Sequence, residues 1–198
     1  MRQARVRVGQ QTANQRHGET MNIPIRHPVS VVQGEFKISS DPGLLLSTIL
    51  GSCVSVCLHD PVAQIGGMNH FLLPFGEGDG TNRPVRYGLF AMEMLINALM
   101  KEGAKKSRMQ AKLFGGAKIS NDFRDIGQSN VAFARDFIAT EGIQSLAESL
   151  GGGNARRVVY QPATGNARML LVPSNNVDLN LMRPEVKKAP ADDGVELF

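Results

Sequence analysis

At 198 residues the chain has the length of one domain and can bury roughly 70% of its unfolded surface, so it needs neither disulfides nor a structural metal in order to fold. Its formal charge of +4 lies wholly in the first 28 residues, where Arg2, Arg5, Arg7, Arg16 and Arg26 stand against Glu19 alone; the remainder is balanced, which argues against a basic nucleic-acid-binding surface. No run approaches about eighteen uninterrupted apolar residues, so a transmembrane helix is excluded and a soluble, cytoplasmic protein is expected.

Residues 1–28 are rich in Gln, Asn and Gly and carry no apolar h-region, which predicts a basic, disordered tail and no secretory signal. From residue 29 the pattern becomes compact. Val31 to Ile38 reads as a first strand, Asp41-Pro42-Gly43 as a turn, and Leu44 to Leu50 leads into Leu50-Gly51-Ser52-Cys53. Cys53 to Leu58 reads as a strand that stops at Asp60-Pro61, and Gly66 to Leu73 as its neighbour, stopping at Pro74. A hairpin between these two brings the start of one near the end of the other, so Cys53 and His70 can approach.

Phe75 to Arg86, with three glycines and Pro84, reads as a surface loop. Tyr87 to Lys101 holds Leu89, Phe90, Met92, Met94, Leu95, Ile96, Leu99 and Met100 and predicts a well-buried helix ending near Gly103. A strand over Met109 to Phe114 precedes Gly115-Gly116-Ala117, whose spacing is not that of a phosphate loop. Asn130 is placed as the N-cap of a helix from Val131 to Thr140. Gly142 stops it, Gly151-Gly152-Gly153 marks a turn, and Arg156 to Gln161 with Ala167 to Val172 predict a second hairpin. The domain is thus expected over 29–173, with 174–198 as an appended C-terminal segment.

Two cysteines and a nearby histidine are the chemical clue. A thiol attacks as thiolate, and an imidazole is the usual means of producing one near neutral pH. A lone cysteine is more often a small apolar core residue, and Cys57 is read that way. His59, at a strand end, is read as solvated. Cys53 and Cys57 are about 13 Å apart in extended chain, beyond the roughly 7 Å that a disulfide spans. Zinc fares no better, since Cys53 to His59 covers about 20 Å whereas ligands sit near 2.0–2.3 Å from one ion. No metal site and no cofactor is expected.

Taken together, Leu50-Gly51-Ser52-Cys53, Asp60-Pro61, Gly66-Gly67-Met68-Asn69-His70 with Leu73-Pro74, Leu113-Phe114-Gly115-Gly116-Ala117, Ile126-Gly127-Gln128-Ser129-Asn130-Val131 and Thr164-Gly165 resemble, over roughly residues 31–172, the CheD family of chemoreceptor glutamine deamidases. The resemblance implies an α/β protein, a three-layer α/β/α sandwich with mixed β-sheets. It implies hydrolysis of glutamine side chains to glutamate on bacterial methyl-accepting chemotaxis receptors, with Cys53 as nucleophile held as thiolate by His70, a thioester intermediate, and backbone N–H groups at the oxyanions. Glutamyl methyl ester hydrolysis by the same route is also implied. A hydroxyl residue that orients the histidine matches either Ser47, six before the cysteine, or Thr48, five before it, with a bulge before Gly51 needed to bring Thr48 to the right side. The implied partners are receptor cytoplasmic helices and a CheC-type phosphatase; the alternative is a non-catalytic adaptor that binds either. The Arg-rich tail could then meet the anionic membrane surface near receptors.

Overall fold

The computed structural model describes residues 27–73, 83–118 and 126–172. The expected basic tail save its last two residues, Pro74 with most of the loop that follows it, and the C-terminal segment lie outside the described residues.

Nine strands and two α-helices form among the described residues. They are β1 (Val29–Ser30), β2 (Phe36–Ser39), β3 (Leu46–Leu50), β4 (Val54–Asp60), β5 (Ile65–Asn69), α1 (Arg83–Lys101), β6 (Gln110–Gly115), α2 (Ile126–Thr140), β7 (Gln144–Leu150), β8 (Ala155–Gln161) and β9 (Asn166–Val172). The strands make two sheets, ordered β1-β3-β8-β9 and β2-β5-β4-β6-β7. Each sheet is mixed, because β1 runs parallel to β3 and β6 parallel to β7 while the remaining pairs are antiparallel. The α/β class with mixed sheets is therefore the one expected from the sequence.

β4 lies at the centre of the molecule, and all seven of its residues are buried. Its alternation divides the core in two. Val54, Val56 and Leu58 turn to one face, where they meet Met92, Leu95, Ile96 and Leu99 of α1 and Val131, Ala134, Phe137 and Ile138 of α2. Cys53 and Cys57 turn to the other, where they meet Leu46 and Leu50 of β3 and Val158 and Tyr160 of β8. Both described helices thus share one face of the five-stranded sheet, and the four-stranded sheet covers the opposite face. The described layers run helices, sheet, sheet.

Four local readings of the sequence are revised. The stretch Val31–Ile38 is no single strand: β1 ends at Ser30 in one sheet and β2 begins at Phe36 in the other, with a turn between them closed by Glu35 N–H donating to the Val32 carbonyl at 3.0 Å and permitted by Gly34 at φ +88°. Helix α1 is amphipathic and not buried all round, since Met92, Leu95, Ile96 and Leu99 point inward while Phe90, Met94 and Met100 are exposed. Helix α2 begins at Ile126, one turn before Asn130, so Asn130 is an interior residue and no N-cap. β7 has no counterpart among the expected strands, because as an edge strand of mostly exposed residues it carries no apolar alternation.

Candidate active site

The chain crosses from one sheet to the other between β3 and β4, through Gly51-Ser52-Cys53, and this crossing is tied at every carbonyl. Gly116 N–H donates to the Cys53 carbonyl at 2.7 Å and Ala117 N–H to that of Gly51 at 2.8 Å. The Asn130 side-chain amide donates to the Ser52 carbonyl at 3.0 Å, while its oxygen accepts from Leu73 N–H at 2.8 Å. Gly115 must be glycine for this contact: it sits at φ +112°, and a Cβ there would lie 2.1 Å from the Cys53 carbonyl oxygen. The Gly115-Gly116-Ala117 run therefore holds the cysteine loop, and Asn130 joins that loop to the segment after His70.

His70 immediately follows β5. Val54 and Phe71 exchange both backbone bonds, at 3.0 and 2.9 Å, and both face the helices. Cys53 and His70 each precede one member of that pair. They consequently share the opposite face on a diagonal, where Cα atoms lie about 7–8 Å apart and longer side chains can meet. The hairpin brings the expected thiol and imidazole to one face.

The hydroxyl comes from the other sheet. β3 alternates, with Leu46, Thr48 and Leu50 buried and Ser47 and Ile49 turned the other way. Thr48 Oγ1 lies 2.9 Å from His70 Nδ1 and donates to the Val31 carbonyl at 2.8 Å. Ser47 stays in the ladder, opposite Val159, and its carbonyl accepts from Val31 N–H at 2.8 Å. No bulge is needed: β3 pairs with β8 residue for residue from Leu46 to Leu50. Counting sides from Cys53 fails because the intervening bend changes sheets.

This arrangement fixes the imidazole tautomer. The one hydroxyl proton of Thr48 goes to Val31, whose carbonyl also lies 3.2 Å from His70 Nδ1. Both neighbours of Nδ1 are therefore acceptors toward it, so Nδ1 carries the proton and Nε2 keeps its lone pair. Among the described residues, His70 Nε2 is the buried side-chain nitrogen or oxygen that has no hydrogen-bond partner. Burial lowers the His70 pKa, opposed by the bond to Val31, so the ring is neutral at pH 7.

Cys53 is 9% exposed, and burial pushes its thiol up to about 11. Its S–H donates to Oε1 of Gln33 at 3.4 Å. Burial thus opposes both the thiolate expected from the sequence and an imidazolium at His70, because desolvation penalises each charged form.

The remaining residues singled out in the sequence sort clearly. Cys57 is a core residue, 1% exposed. His59 is buried and not solvated, donating from Nδ1 to the Pro162 carbonyl at 2.9 Å. Asn69 Oδ1 accepts from Val56 N–H at 2.9 Å, and its amide faces Met92. Asp60, read as a strand stop, is a buried anchor that takes the Arg108 guanidinium at 2.6 Å and Lys105 N–H at 2.8 Å. Gln33 was not foreseen, since a polar residue in a strand-like run gives no sign of where a turn will aim it. Neither was the inward amide of Asn130, which mimics a cap in sequence. No three His, Cys, Asp or Glu side chains group as metal ligands among the described residues, and no described helix is long and apolar enough to cross a membrane.

A mixed-sheet α/β chain with cysteine, histidine and threonine gathered at a crossing between sheets defines the class, and comparison with known proteins identifies the family. Residues 72–170 match the family model CheD, described as CheD chemotactic sensory transduction. The chain is 46% identical over 187 residues to a protein of Caulobacter sp. (strain K31) named probable chemoreceptor glutamine deamidase CheD, covering 93% of this chain and 98% of that one. A protein of Rhizobium meliloti (strain 1021) with the same name is 46% identical over 178 residues, covering 86% of this chain and 95% of its own. This chain belongs to the CheD family. The family-model match begins just past His70, whereas these relatives align over most of the chain. Among solved structures, the Bacillus licheniformis hypothetical protein YfiH is similar at a TM-score of 0.40 and 17% identity, over 58% of this chain and 49% of its own.

Proposed function

We propose that this protein hydrolyses the side-chain amide of glutamines on bacterial chemoreceptors, with Cys53 as nucleophile, His70 as general base and acid, and Thr48 as the residue that orients His70. The observation that carries this reading is the tautomer: Thr48 and Val31 hold the proton on His70 Nδ1, which leaves a basic, unpartnered Nε2 on the face it shares with Cys53. The names of the relatives supply the substrate class.

In the first step Nε2 takes the Cys53 proton as sulfur bonds to the amide carbon of the substrate, and the carbonyl electron pair moves onto oxygen. Collapse of that oxyanion breaks the carbon–nitrogen bond, and the imidazolium protonates the departing ammonia. A thioester to Cys53 remains. Neutral His70 then takes a proton from water, the hydroxide adds to the thioester carbon, and collapse releases glutamate with the sulfur reprotonated from His70. Deprotonating sulfur only as it attacks suits a site whose resting thiol is pushed up to about 11 by burial, because no thiolate need be sustained between turnovers. A glutamyl methyl ester enters the same route with methanol leaving in place of ammonia. Docking of a CheC-type phosphatase, and a cytoplasmic location, belong to the same reading.

Incubation with a receptor cytoplasmic fragment tests it, with mass spectrometry following conversion of glutamine to glutamate. Wild type converts specific glutamines and Cys53→Ala does not. Equal slow background from both would remove the enzymatic reading and leave the adaptor.

A further inference from the structure

Resting on the deamidase reading, we infer that Gln33 is a further catalytic residue: its side-chain amide is a hydrogen-bond donor to the reacting centre, to the sulfur as it loses its proton and then to the substrate oxyanion.

The case begins with the turn that carries it. Residues 31–35 cross between the sheets opposite the Gly51–Cys53 crossing. Gly34 N–H donates to the His70 carbonyl at 2.7 Å, and His70 N–H donates to the Glu35 carbonyl at 3.0 Å. The turn is thus laced to the backbone of the candidate base from both sides. Val31, at one end of this segment, supplies the carbonyl that fixes the His70 tautomer. Gln33, at its apex, places its amide 3.4 Å from Cys53 Sγ. One short segment serves both the base and the nucleophile, and it is only partly buried, so an incoming side chain meets Gln33 and Cys53 together.

The chemistry of a primary amide fits the changes the sulfur undergoes. A glutamine side chain bears an acceptor and a two-proton donor on adjacent atoms. Against a resting S–H it presents Oε1, as the structure has it. Half a turn about the Cγ–Cδ bond presents Nε2–H to the same place, which favours a thiolate and disfavours the thiol. When sulfur bonds to the substrate amide carbon, the carbonyl pair moves onto oxygen next to that sulfur, and the same N–H lies within reach of the new negative charge. On collapse the pair returns to carbon, ammonia leaves with the proton from His70, and Gln33 gains and loses no atom. Side-chain amides in this role contribute on the order of 10²–10³ in rate.

The competing role for a glutamine in a glutamine-processing site is that of an internal blocker standing where the substrate belongs. The two roles predict opposite signs. As a donor, Gln33→Ala lowers kcat on the receptor fragment by about 10²-fold with KM changed far less. Gln33→Glu, equal in shape but an acceptor only, is at least as slow, and it shifts Cys53 alkylation by iodoacetamide to higher pH because a carboxylate opposes the thiolate. Its isosteric side chain keeps the test valid should the alanine variant fold poorly, and far-ultraviolet circular dichroism checks both. A rate in Gln33→Ala equal to or above wild type, or an unmoved alkylation profile in Gln33→Glu, overturns the inference. Loss of the difference between wild type and Cys53→Ala would instead remove the deamidase reading beneath it, so the two failures are told apart by one set of assays.

Discussion

Two cysteine–histidine pairs lie along the same seam between the sheets, and they differ in what surrounds them. Cys57 and His59 stand two residues apart on one strand and are buried. The thiol is 1% exposed, burial pushes it up while Ser55 and Lys112 pull weakly the other way, and His59 donates its Nδ1 proton to Pro162. Gly165 closes over that ring so tightly that a Cβ there would lie 2.7 Å from it. Cys53 and His70 come from different strands and stand at a crossing. Their thiol keeps a sliver of exposure, their imidazole nitrogen has no partner, and a polar side chain reaches the sulfur. Closeness in sequence produced a packed core. What marks the other pair is an unspent lone pair beside a reachable sulfur.

The comparison breaks first on exchange of the thiols. Cys53→Ala should abolish receptor deamidation, at least 10³-fold by mass spectrometry, while Cys57→Ala should stay within a few-fold in rate and lose about 1 kcal/mol in thermal unfolding as a small buried group is removed. Next in size is the base. His70→Gln should cost about 10²–10⁴ in kcat, whereas His59→Gln should act through stability. Thr48→Val keeps shape but removes the hydroxyl that holds Nδ1, so we expect a loss of roughly tenfold or more in kcat and about 1–3 kcal/mol for the buried groups left behind. Thr48→Ser should restore most of the rate, and Ser47→Ala should change little, since Ser47 faces away.

pH sharpens the contrast further. The His70 pKa is lowered from 6.5 by burial, and catalysis needs the neutral ring, so the acid limb of kcat/KM should have its midpoint below 6.5. The unfolded chain binds that proton more readily than the folded one, so His70 also makes stability fall as pH drops through and below 6.5. The smallest effect on chemistry is expected far from the seam. Burial would raise the Asp60 carboxyl, but Arg108 and the N–H groups of Lys105, Ala63 and Val62 hold it well below the usual range. Asp60→Asn should then cost about 3 kcal/mol in chemical denaturation with kcat on surviving protein near wild type. Asp60 stabilises the fold above the ordinary carboxylate pKa of 3.8, and that contribution is lost as pH falls below it.

Much of this was legible in the residues. The β4–β5 hairpin followed from two apolar runs with Asp60-Pro61 between them, and the hairpin alone brings Cys53 and His70 to one face. The glycines at 115 and 116 were visible as flexible backbone, though not as the price of approaching the Cys53 carbonyl. The choice between Ser47 and Thr48 was not legible, because side-chain parity is defined within a strand and is lost where the chain bends from one sheet to another. A second crossing hid Gln33: Val31 to Ile38 has the composition of one strand, and only the pairing of β1 and β2 in different sheets reveals the turn between them. Asn130 was hidden by ambiguity of another kind, since an asparagine ahead of an apolar stripe caps a helix as readily as it sits one turn inside one.

The claim on which all of this turns is that the reaction passes through a covalent bond to the Cys53 sulfur. Acid quenching of wild-type protein during turnover of a receptor fragment, followed by intact mass spectrometry and peptide mapping, tests it directly. The account predicts an adduct on Cys53 equal to the fragment less one ammonia, cleaved by hydroxylamine and absent from Cys53→Ala. Deamidation by Cys53→Ala at the wild-type rate, with no adduct in either protein, would contradict it.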